Sequence, residues 1–330
     1  MHYRSNPSLP TILNNWKGTP QHRNGRFFHP EYPFQLGWKD VLKWQMTENP
    51  YREQKKKDTW RASVIKDDGF LRHSHDTMVW LGHACFFFRL NGQHILVDPV
   101  FGKLAPLSPR YSEMPVPPDK FRHIDLVLLT HDHRDHCDGP SLKLLLKNNP
   151  QAKIITGLGM KEVVAPWANG HEVIEMGWYQ CCEVGAAGLK IHYLPTRHWC
   201  RRWLTDTNRR LWGAFVLQTD RHTLYFGGDS GYGSHYRQAA ELFPRLDYAF
   251  LGIGAFAPEW FMHSNHHGPV DAWQAFQDLG AARFVPMHYG TFDLSDEPLG
   301  EPERLLRQIA KTKRSENTVA FLKIGQDARL

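Results

Sequence analysis

Apolar runs separated by polar turns dominate the chain from Thr77 onward and predict β-strands there. TMVWLG and ACFFFRL are two such runs joined by a tight turn that contains glycine, and HILVDP follows as a third. HIDLVLLT, residues 123–130, contains a continuous apolar run, which is typical of a strand that is covered on both faces. This region therefore predicts strands that pair as hairpins, followed by one buried strand.

Further along the chain, strand patterns alternate with helix patterns. The predicted strands are AKIITG, LKIHYLP, LWGAFVLQT, HTLYFGG, LDYAFLGIG, ARFVPMHYG and TVAFLKIG. The predicted helices are SLKLLLKNN, KEVVAPWA, SHYRQAAELF, PVDAWQAFQDLG and EPERLLRQIAKTK. Hairpin strands followed by alternating strands and helices predict two mixed sheets packed together with helices outside. This arrangement is a four-layer αββα sandwich in one compact domain.

Residues 1–72 lack a regular pattern, because Pro, Asn, Gly and charged residues interrupt every apolar run. Four tryptophans are scattered through this stretch: Trp16, Trp38, Trp44 and Trp60. Aromatic residues in such numbers favour a segment that packs on a globular body. A short helix is predicted over residues 37–45. We therefore divide the chain into an irregular N-terminal extension, 1–72, packed on the body, and a main domain, 73–330.

The composition predicts a packed protein of a reducing compartment. Hydrophobic residues make up 41% and charged residues 22% of the 330 residues, so a core can form and disorder is not expected. Neither a secretory signal nor an apolar run of about 18 residues is present, so no signal peptide and no membrane-spanning helix are predicted. The five cysteines lack CxxC spacing, which favours the cytoplasm over a disulfide framework.

The net charge of +6 permits an anionic partner without requiring one. Peripheral contact with a membrane is compatible with this basic excess, and a homodimer is compatible with the sequence. Nucleic acid is not an expected partner, because the chain has no dense Lys/Arg stripe with interleaved aromatic residues.

The buried strand at 123–130 ends in a group of titratable residues, in the string THDHRDHCDG. His131 and His133 are two positions apart, so both side chains can point to one side of an extended loop. Asp135 and His136 are adjacent and point to different places. This spacing suits two neighbouring metals. The nitrogen and oxygen donors suit zinc in a hydrolytic site and are compatible with iron or manganese.

Further candidate ligands follow other predicted strands. His198 ends LKIHYLPTRH, Asp229 ends HTLYFGGD, and His288 ends ARFVPMH. Each of them alone is better interpreted as a hydrogen-bonded buried polar residue. Together with the first cluster they make seven ligands, which is a complete set for two metals.

The strings THDHRDHCDG, PTRH, GGDSGY and MHYG resemble the metallo-β-lactamase-fold hydrolases. The resemblance implies the same αββα fold. It also implies that His131, His133 and His198 hold one metal, that Asp135, His136 and His288 hold the other, and that Asp229 bridges them.

A narrower resemblance lies in WLGHACFFF, ILVDPVF, LPTRHWCRR, GAFAPEWFM, HYGTF and GRFFHP. These strings are similar to the N-acylphosphatidylethanolamine-hydrolysing phospholipase D branch of that superfamily. The resemblance implies a phosphodiesterase with two Zn²⁺ per chain and a metal-bridging hydroxide, acting on N-acylphosphatidylethanolamine-like phospholipids. The alternative is a metal-dependent hydrolase of a small soluble ester, lactone or cyclic phosphate. A non-catalytic metal-binding protein is disfavoured, because all seven ligands are present.

The same resemblance implies catalytic roles for Asp135 and His266, with His266 acting as a proton donor or oxyanion partner. Gly268 stands where family members usually carry an acidic residue, which leaves His266 without its expected partner. Asp98 has two open interpretations, as a group that orients a ligand imidazole or as a turn residue before Pro99.

The flanking residues of the predicted ligands also have open interpretations. Arg197, Arg201 and Arg202 are either phosphate contacts or a solvated basic turn. A second set is either the wall of an acyl-chain groove or ordinary core: Trp199, Trp260, Phe261 and Met262.

Overall fold

The computed structural model describes residues 1–35, 37–168, 170–185 and 188–330. The strands are β1 (His2–Arg4), β2 (Thr19–Gln21), β3 (Thr77–Gly82), β4 (Cys85–Leu90), β5 (Gln93–Val97), β6 (Leu126–Leu129), β7 (Lys153–Gly157), β8 (Val173–Met176), β9 (Gln180–Val184), β10 (Leu189–Leu194), β11 (Ala214–Gln218), β12 (Thr223–Phe226), β13 (Tyr248–Gly252), β14 (Arg283–Met287) and β15 (Ala328–Arg329). The helices are α1 (Trp38–Met46), α2 (Arg52–Lys57), α3 (Gly139–Asn148), α4 (Lys161–Ala168), α5 (His235–Leu242), α6 (Glu259–Met262), α7 (Pro269–Leu279) and α8 (Glu301–Thr312).

Two mixed sheets form the centre of the molecule. The first has the order β15-β3-β4-β5-β6-β7-β8, and the second has the order β14-β13-β12-β11-β10-β9. Hairpin strands pair antiparallel, as β3 does with β4, whereas β5, β6 and β7 run parallel. In the second sheet β12, β13 and β14 are also parallel. The carboxyl ends of parallel strands meet at one edge of a sheet, which is where loops can converge on a site.

Aromatic side chains fill the space between the two sheets. Phe86 and Phe88 of β4 pack edge-on against Phe250 of β13, with ring centroids 5.1 and 5.2 Å apart. All three side chains are fully buried. Alternate residues of β4 point to opposite faces of its sheet, and Phe87 accordingly belongs to the other core, on the helix side.

Helices cover both outer faces. The apolar face of α3 presents Leu142, Leu145 and Leu146 to the first sheet, with the i, i+3, i+4 spacing of an amphipathic helix. Asp138 caps this helix by accepting from the backbone N–H of Ser141 at 3.0 Å. On the second sheet α7 buries Trp273 and Phe276. Helix, sheet, sheet and helix form the predicted four-layer αββα sandwich, so the fold prediction is confirmed.

The N-terminal segment is more regular than predicted. It contains β1, β2, α1 and α2, so its description as irregular is wrong in part, whereas the helix predicted over residues 37–45 is confirmed as α1. The other three elements are hard to recognise in the sequence because they are short: β1 and β2 have three residues each and α2 has six. Contacts with the body are numerous: the Thr19 hydroxyl accepts from the backbone N–H of Trp178 at 2.8 Å, and Phe27 is 1% exposed. The boundary at residues 72 and 73 stays a prediction.

Two further details differ from the sequence prediction. TVAFLKIG is not a regular strand, because only isolated bridges form there, from Val319 to Phe284 and from Ile324 to Val64. Strands β8 and β9 were not predicted, since their half-exposed and Cys-containing sequences lack a clear period. None of the helices in the described part of the chain combines the length and the apolar character that crossing a bilayer requires.

Candidate metal centre

The predicted ligands all follow strands whose carboxyl ends open at the same edge of the sandwich. β6 leads to the loop with His131, His133, Asp135 and His136. β10 leads to His198, β12 to Asp229 and β14 to His288. The structure brings all seven of these side chains together in two adjoining groups. Within each group, one donor atom from each residue lies within 4.8 Å of the donor atoms of the others.

The backbone is strained where it enters this edge. His83, Asp98 and His288 each follow a strand directly, and each has a positive φ, of 54°, 43° and 60°. Non-glycine residues seldom adopt such angles, and they concentrate at functional sites. Gly254 lets β13 approach this turn, because a Cβ atom there would lie 2.3 Å from the carbonyl oxygen of His288.

Three histidines form the first group. Nε2 of His131 lies 2.9 Å from Nδ1 of His133, and Nε2 of His198 lies 3.2 Å from the same nitrogen. Burial lowers the pKa of each ring, and for His131 and His198 the pKa lies well below its ordinary value. The three rings are therefore neutral, which is the form that binds metals.

Hydrogen bonds on the outer side of two rings indicate which nitrogens face inward. The hydroxyl of Thr130 donates to Oδ2 of Asp98 at 2.6 Å, so it accepts from Nδ1 of His131 at 2.9 Å. The carbonyl oxygen of Asn265 accepts from Nδ1 of His198 at 3.0 Å. With the proton on Nδ1 in both rings, each Nε2 presents its lone pair to the group.

Asp135, His136 and His288 form the second group. Oδ2 of Asp135 lies 3.5 Å from Nε2 of His136 and 3.5 Å from Nε2 of His288. Burial by itself would lower the pKa of both rings. The carboxylates of Asp229 and Asp135 instead raise the pKa of His136 well above its ordinary value and that of His288 to about 9. The carboxylates thus favour a positive charge at these two rings. A divalent cation bound to the ring nitrogens can supply that charge in place of protons.

Asp229 lies between the two groups. Its Oδ2 is 3.2 Å from Nε2 of His136 and 3.6 Å from Nε2 of His198, and its Oδ1 is 3.1 Å from Nε2 of His288. Burial by itself would raise the pKa of Asp229, but the charges of His136 and His288 hold it well below its ordinary value. The carboxylate is therefore ionised and faces both groups at once.

Several buried atoms here have no hydrogen bond of acceptable geometry to any described residue. They include Nε2 of His136, Nε2 of His288 and both carboxylate oxygens of Asp229. Leaving a buried polar group unpaired costs about 1–3 kcal/mol, so several of them at one place indicate a missing partner. Imidazole nitrogens and carboxylate oxygens suit zinc and neighbouring divalent transition metals. The residues present therefore fit a metal centre.

Asp98 contacts His136 of the second group directly and His131 of the first group through Thr130. It accepts from Nδ1 of His136 at 2.8 Å and from the backbone N–H of Thr130 at 2.8 Å, and it is fully buried. Of its two interpretations, the contact agrees with the first, in which Asp98 orients a ligand imidazole. Through Thr130 it also holds His131, which the sequence did not indicate.

His266 lies at the open side of the site, where its side chain is 19% exposed. Its Nδ1 is 3.7 Å from Oδ2 of Asp229, and its ring centroid is 5.2 Å from that of His198. Burial lowers the pKa of His266 to about 4, although the charge of Asp229 opposes the shift. Gly268 packs against Phe256 instead of facing this ring, so Asp229 is the acidic group next to His266.

His83 belongs to the second group, although sequence reasoning gave it no role. Its Nε2 lies 3.0 Å from Oδ2 of Asp135, and its ring centroid is 3.9 Å from that of His288. The signal that could have found it is its place in the GHA string directly after β3, which is the same position that the other site residues occupy. His83 therefore contacts the same carboxylate oxygen of Asp135 as His136 and His288 do.

Asp132 lies within the histidine string but outside both groups. Its Oδ2 accepts from Nε of the buried Arg210 at 2.7 Å, and Arg210 also pairs with Asp206. Arg202 donates to the carbonyl oxygens of Asp132 and Cys137 at 2.9 and 2.8 Å. These contacts brace the loop that carries His131 and His133. Arg202 therefore stabilises the loop rather than being free to meet a phosphate.

Of the aromatic residues predicted to line a groove, Trp199 and Trp260 each lie against a basic side chain. Trp199 is half-buried, with its ring 4.8 Å from His133 and under the guanidinium of Arg201. Trp260 is 44% exposed, and Nζ of Lys43 lies over its ring, 4.4 Å from the ring centroid. Phe261 and Met262 are buried, so for these two the core interpretation holds.

The family model described as "Beta-lactamase superfamily domain" matches residues 93–289. N-acyl-phosphatidylethanolamine-hydrolyzing phospholipase D 1 of Caenorhabditis elegans is 28% identical over 96% of this chain and 97% of its own length. The mitochondrial N-acyl-phosphatidylethanolamine-hydrolyzing phospholipase D of Saccharomyces cerevisiae is 32% identical, over 70% of this chain and 51% of the yeast protein. A UPF0173 metal-dependent hydrolase of Hyperthermus butylicus is 30% identical over 75% of this chain and 96% of its own length.

The fold is also found among solved structures. Igni18, a metallo hydrolase from the hyperthermophilic archaeon Ignicoccus hospitalis, superposes with a TM-score of 0.59 over 78% of this chain and 99% of its own. Its sequence identity is 20%, so this likeness concerns the fold alone.

Proposed function

Because this chain belongs to the beta-lactamase superfamily and is a metal-dependent hydrolase, we propose that it is a binuclear zinc phosphodiesterase of phospholipase D type. Its proposed substrates are N-acylphosphatidylethanolamine-like lipids. Hydrolysis would release phosphatidic acid and an N-acylethanolamine.

The observation that carries the proposal is the position of Asp229. Both of its oxygens are buried without hydrogen bonds of acceptable geometry. Oδ2 lies near His198 of the first group and His136 of the second, and Oδ1 lies near His288 of the second. One carboxylate that faces two donor groups in this way fits two cations rather than one. We assign His131, His133 and His198 to one cation, Asp135, His136 and His288 to the other, and Asp229 to both.

Bound divalent cations supply an activated water and neutralise the negative charge of a phosphodiester. The chain's own residues orient and hold this chemistry. Asp98 and Thr130 fix the orientation of His136 and His131 through the hydrogen bonds described above. Asp135 is 16% exposed and lies 3.0 Å from Nε2 of His83, so it can both ligate and keep its charge beside the reacting group.

His266 is proposed as the proton donor or oxyanion partner. It lies next to Asp229 but keeps a partly exposed ring, which suits a group that meets the substrate rather than a ligand. Asp229 takes the place of the acidic partner that Gly268 removes.

The lipid class is supported by the C. elegans relative, which matches nearly the whole length of both chains. It is supported independently by the surface around the opening. Trp203 and Leu204 are 65% and 95% exposed, and the guanidinium of Arg134 lies over the Trp203 ring at 5.6 Å. Exposed tryptophan and leucine next to basic groups are typical of a surface that touches anionic lipid. We propose peripheral contact with a membrane through this rim.

The test combines metal content with two substrates. Protein purified without added metal is analysed for elements, and the same sample is assayed with micellar N-acylphosphatidylethanolamine and with a soluble bis-aryl phosphodiester. About two zinc per chain with turnover of the lipid is the expected result. Two metals with turnover of soluble substrates alone would reject the lipid and favour a hydrolase of a small ester, lactone or cyclic phosphate. No metal and no activity would reject the centre itself.

A further inference from the structure

A second cluster of metal-binding side chains lies away from the metal centre, where the end of the chain meets the first sheet. His73 and His75 precede β3, and Asp327 precedes β15, which pairs with the beginning of β3. One donor atom from each of these three residues lies within 4.8 Å of the other two.

The geometry of this cluster brings both imidazoles to one carboxylate. Oδ2 of Asp327 is 2.6 Å from Nδ1 of His73 and 3.7 Å from Nε2 of His75. The two rings are stacked, with centroids 4.9 Å apart and planes inclined by 29°. Histidines two positions apart project to the same side of an extended chain, which explains why both reach Asp327.

The donor chemistry distinguishes this cluster from an ordinary ion pair. A hydrogen bond with Nδ1 of His73 at 2.6 Å already occupies Oδ2 of Asp327. Nε2 of His75 nevertheless lies 3.7 Å from the same oxygen, which is too far for a hydrogen bond. Two imidazoles and one carboxylate are the ligand set of zinc, nickel, copper and iron sites, whereas magnesium and calcium prefer oxygen.

We propose that His73, His75 and Asp327 form a peripheral site for one divalent transition-metal ion such as Zn²⁺. The three side chains are 40%, 32% and 25% exposed, so water completes the coordination and the ion exchanges freely. The site is independent of the proposed phosphodiesterase activity.

The position of the site indicates what the ion would do. Strand β15 has only two residues, Ala328 and Arg329, which pair with Met78 and Thr77. The hydroxyl of Thr77 also faces a carboxylate oxygen of Asp327 and the carbonyl oxygen of Ala328, and these two acceptors share its single proton. A metal that joins Asp327 to His73 and His75 would link the C-terminal strand to the residues before β3. It would thereby stabilise a short edge strand that few hydrogen bonds hold.

Two basic side chains near the cluster are paired with carboxylates. The guanidinium of Arg221 is paired with Asp76 at 2.7 Å, and that of Arg72 is paired with Asp68 at 2.8 Å. Both basic groups therefore have acidic partners of their own.

The experiment counts metal ions with the full chain. The protein is stripped with a chelator and titrated with Zn²⁺ in competition with a coloured indicator, for the wild type, His75→Asn and Asp327→Asn. The matched control is His123→Asn, because His123 is an exposed histidine outside the cluster and its φ of 59° is one that asparagine tolerates. We expect both cluster variants to bind one equivalent of zinc fewer than the wild type and the control.

This difference does not depend on how many ions the central site holds, so failure of the proposed function would leave it intact. The melting temperature should rise on adding Zn²⁺ in excess of the central site for the wild type and the control but not for the variants. Turnover should be equal in all four proteins. Equal zinc stoichiometry and equal zinc-dependent melting shifts in variants and control would overturn the proposal.

Discussion

The metal centre and the peripheral His73, His75 and Asp327 cluster use the same two kinds of side chain in opposite surroundings. In the centre, the side chains of His136, Asp229 and His288 are 0–2% exposed, whereas those of the peripheral cluster are 25–40% exposed. Buried donors without partners are costly to the fold unless a cation binds, and exposed donors are hydrated in any case. We therefore expect tight binding in the centre and exchangeable binding at the edge.

The surroundings of the donors differ as well. In the centre Asp98, Thr130 and the Asn265 carbonyl group fix the protons of three imidazoles. At the edge a single hydroxyl, that of Thr77, holds the carboxylate. Outer contacts of this kind orient ligands and raise their basicity, so the difference in surroundings, rather than in ligand type, separates the two sites.

The largest effect is expected from Asp229→Ala. This change removes the one carboxylate that faces both donor groups, so both cations should bind more weakly. Activity should fall by more than the roughly 10–100-fold that loss of an outer partner costs. Elemental analysis and turnover check this outcome, with Asp229→Asn as the variant that preserves shape but not charge. Two retained metals and full turnover would contradict the bridging role.

A smaller effect is expected from His266→Ala. If His266 donates a proton or stabilises the oxyanion, turnover should fall by about 10²-fold or more while the metal content stays unchanged. His263→Ala is the matched control, because His263 lies in the same loop and contacts Asp271 at 3.1 Å instead of the centre. Loss of metal from His266→Ala would show that His266 is a metal ligand, like the buried donors, and would contradict its role as a group that meets the substrate.

The role of the surroundings is tested by Asp98→Asn. The amide keeps the volume of the side chain but loses the charge that holds the proton on Nδ1 of His136. Zinc affinity should fall by about 10-fold to 100-fold, with one metal affected more than the other. Competition with chelators of graded strength measures this change. An unchanged affinity would mean that burial alone, without the outer contacts, explains the tight binding.

The smallest effect is expected from the equivalent change at the edge, Thr77→Val. It removes the hydroxyl that holds Asp327, but the exposed ligands can rearrange with water. Zinc affinity of the peripheral site should fall by less than about tenfold, and turnover should not change. Titration with Zn²⁺ in competition with the coloured indicator measures this change in affinity. A loss as large as that from Asp98→Asn would show that the two sites depend equally on their outer contacts.

Much of the site was visible in the sequence because its ligands follow recognisable strands. The histidine string after β6 and the single residues after β10, β12 and β14 could all be named, since each ends an apolar run. Asp132 was rightly left out of the predicted ligands, but its bracing role could not be predicted, because its partner Arg210 lies 78 positions away. His83 was missed for a similar reason, because its contact with Asp135 spans 52 positions. Of the two N-terminal helices, α1 was predicted and α2 was not, since α2 has only six residues and buries none of them.

The layered fold and the kinds of ligand could be predicted from the amino-acid order, because apolar periodicity and residue chemistry are local properties. Three arrangements became known from the folded structure: Asp229 faces both groups, Asp98 and Thr130 orient His136 and His131, and His73 and His75 reach Asp327. They could not be predicted from such local properties because donor atoms act over a few ångströms. Which distant residues come that close depends on how the two sheets pack and where the chain returns to its first strand.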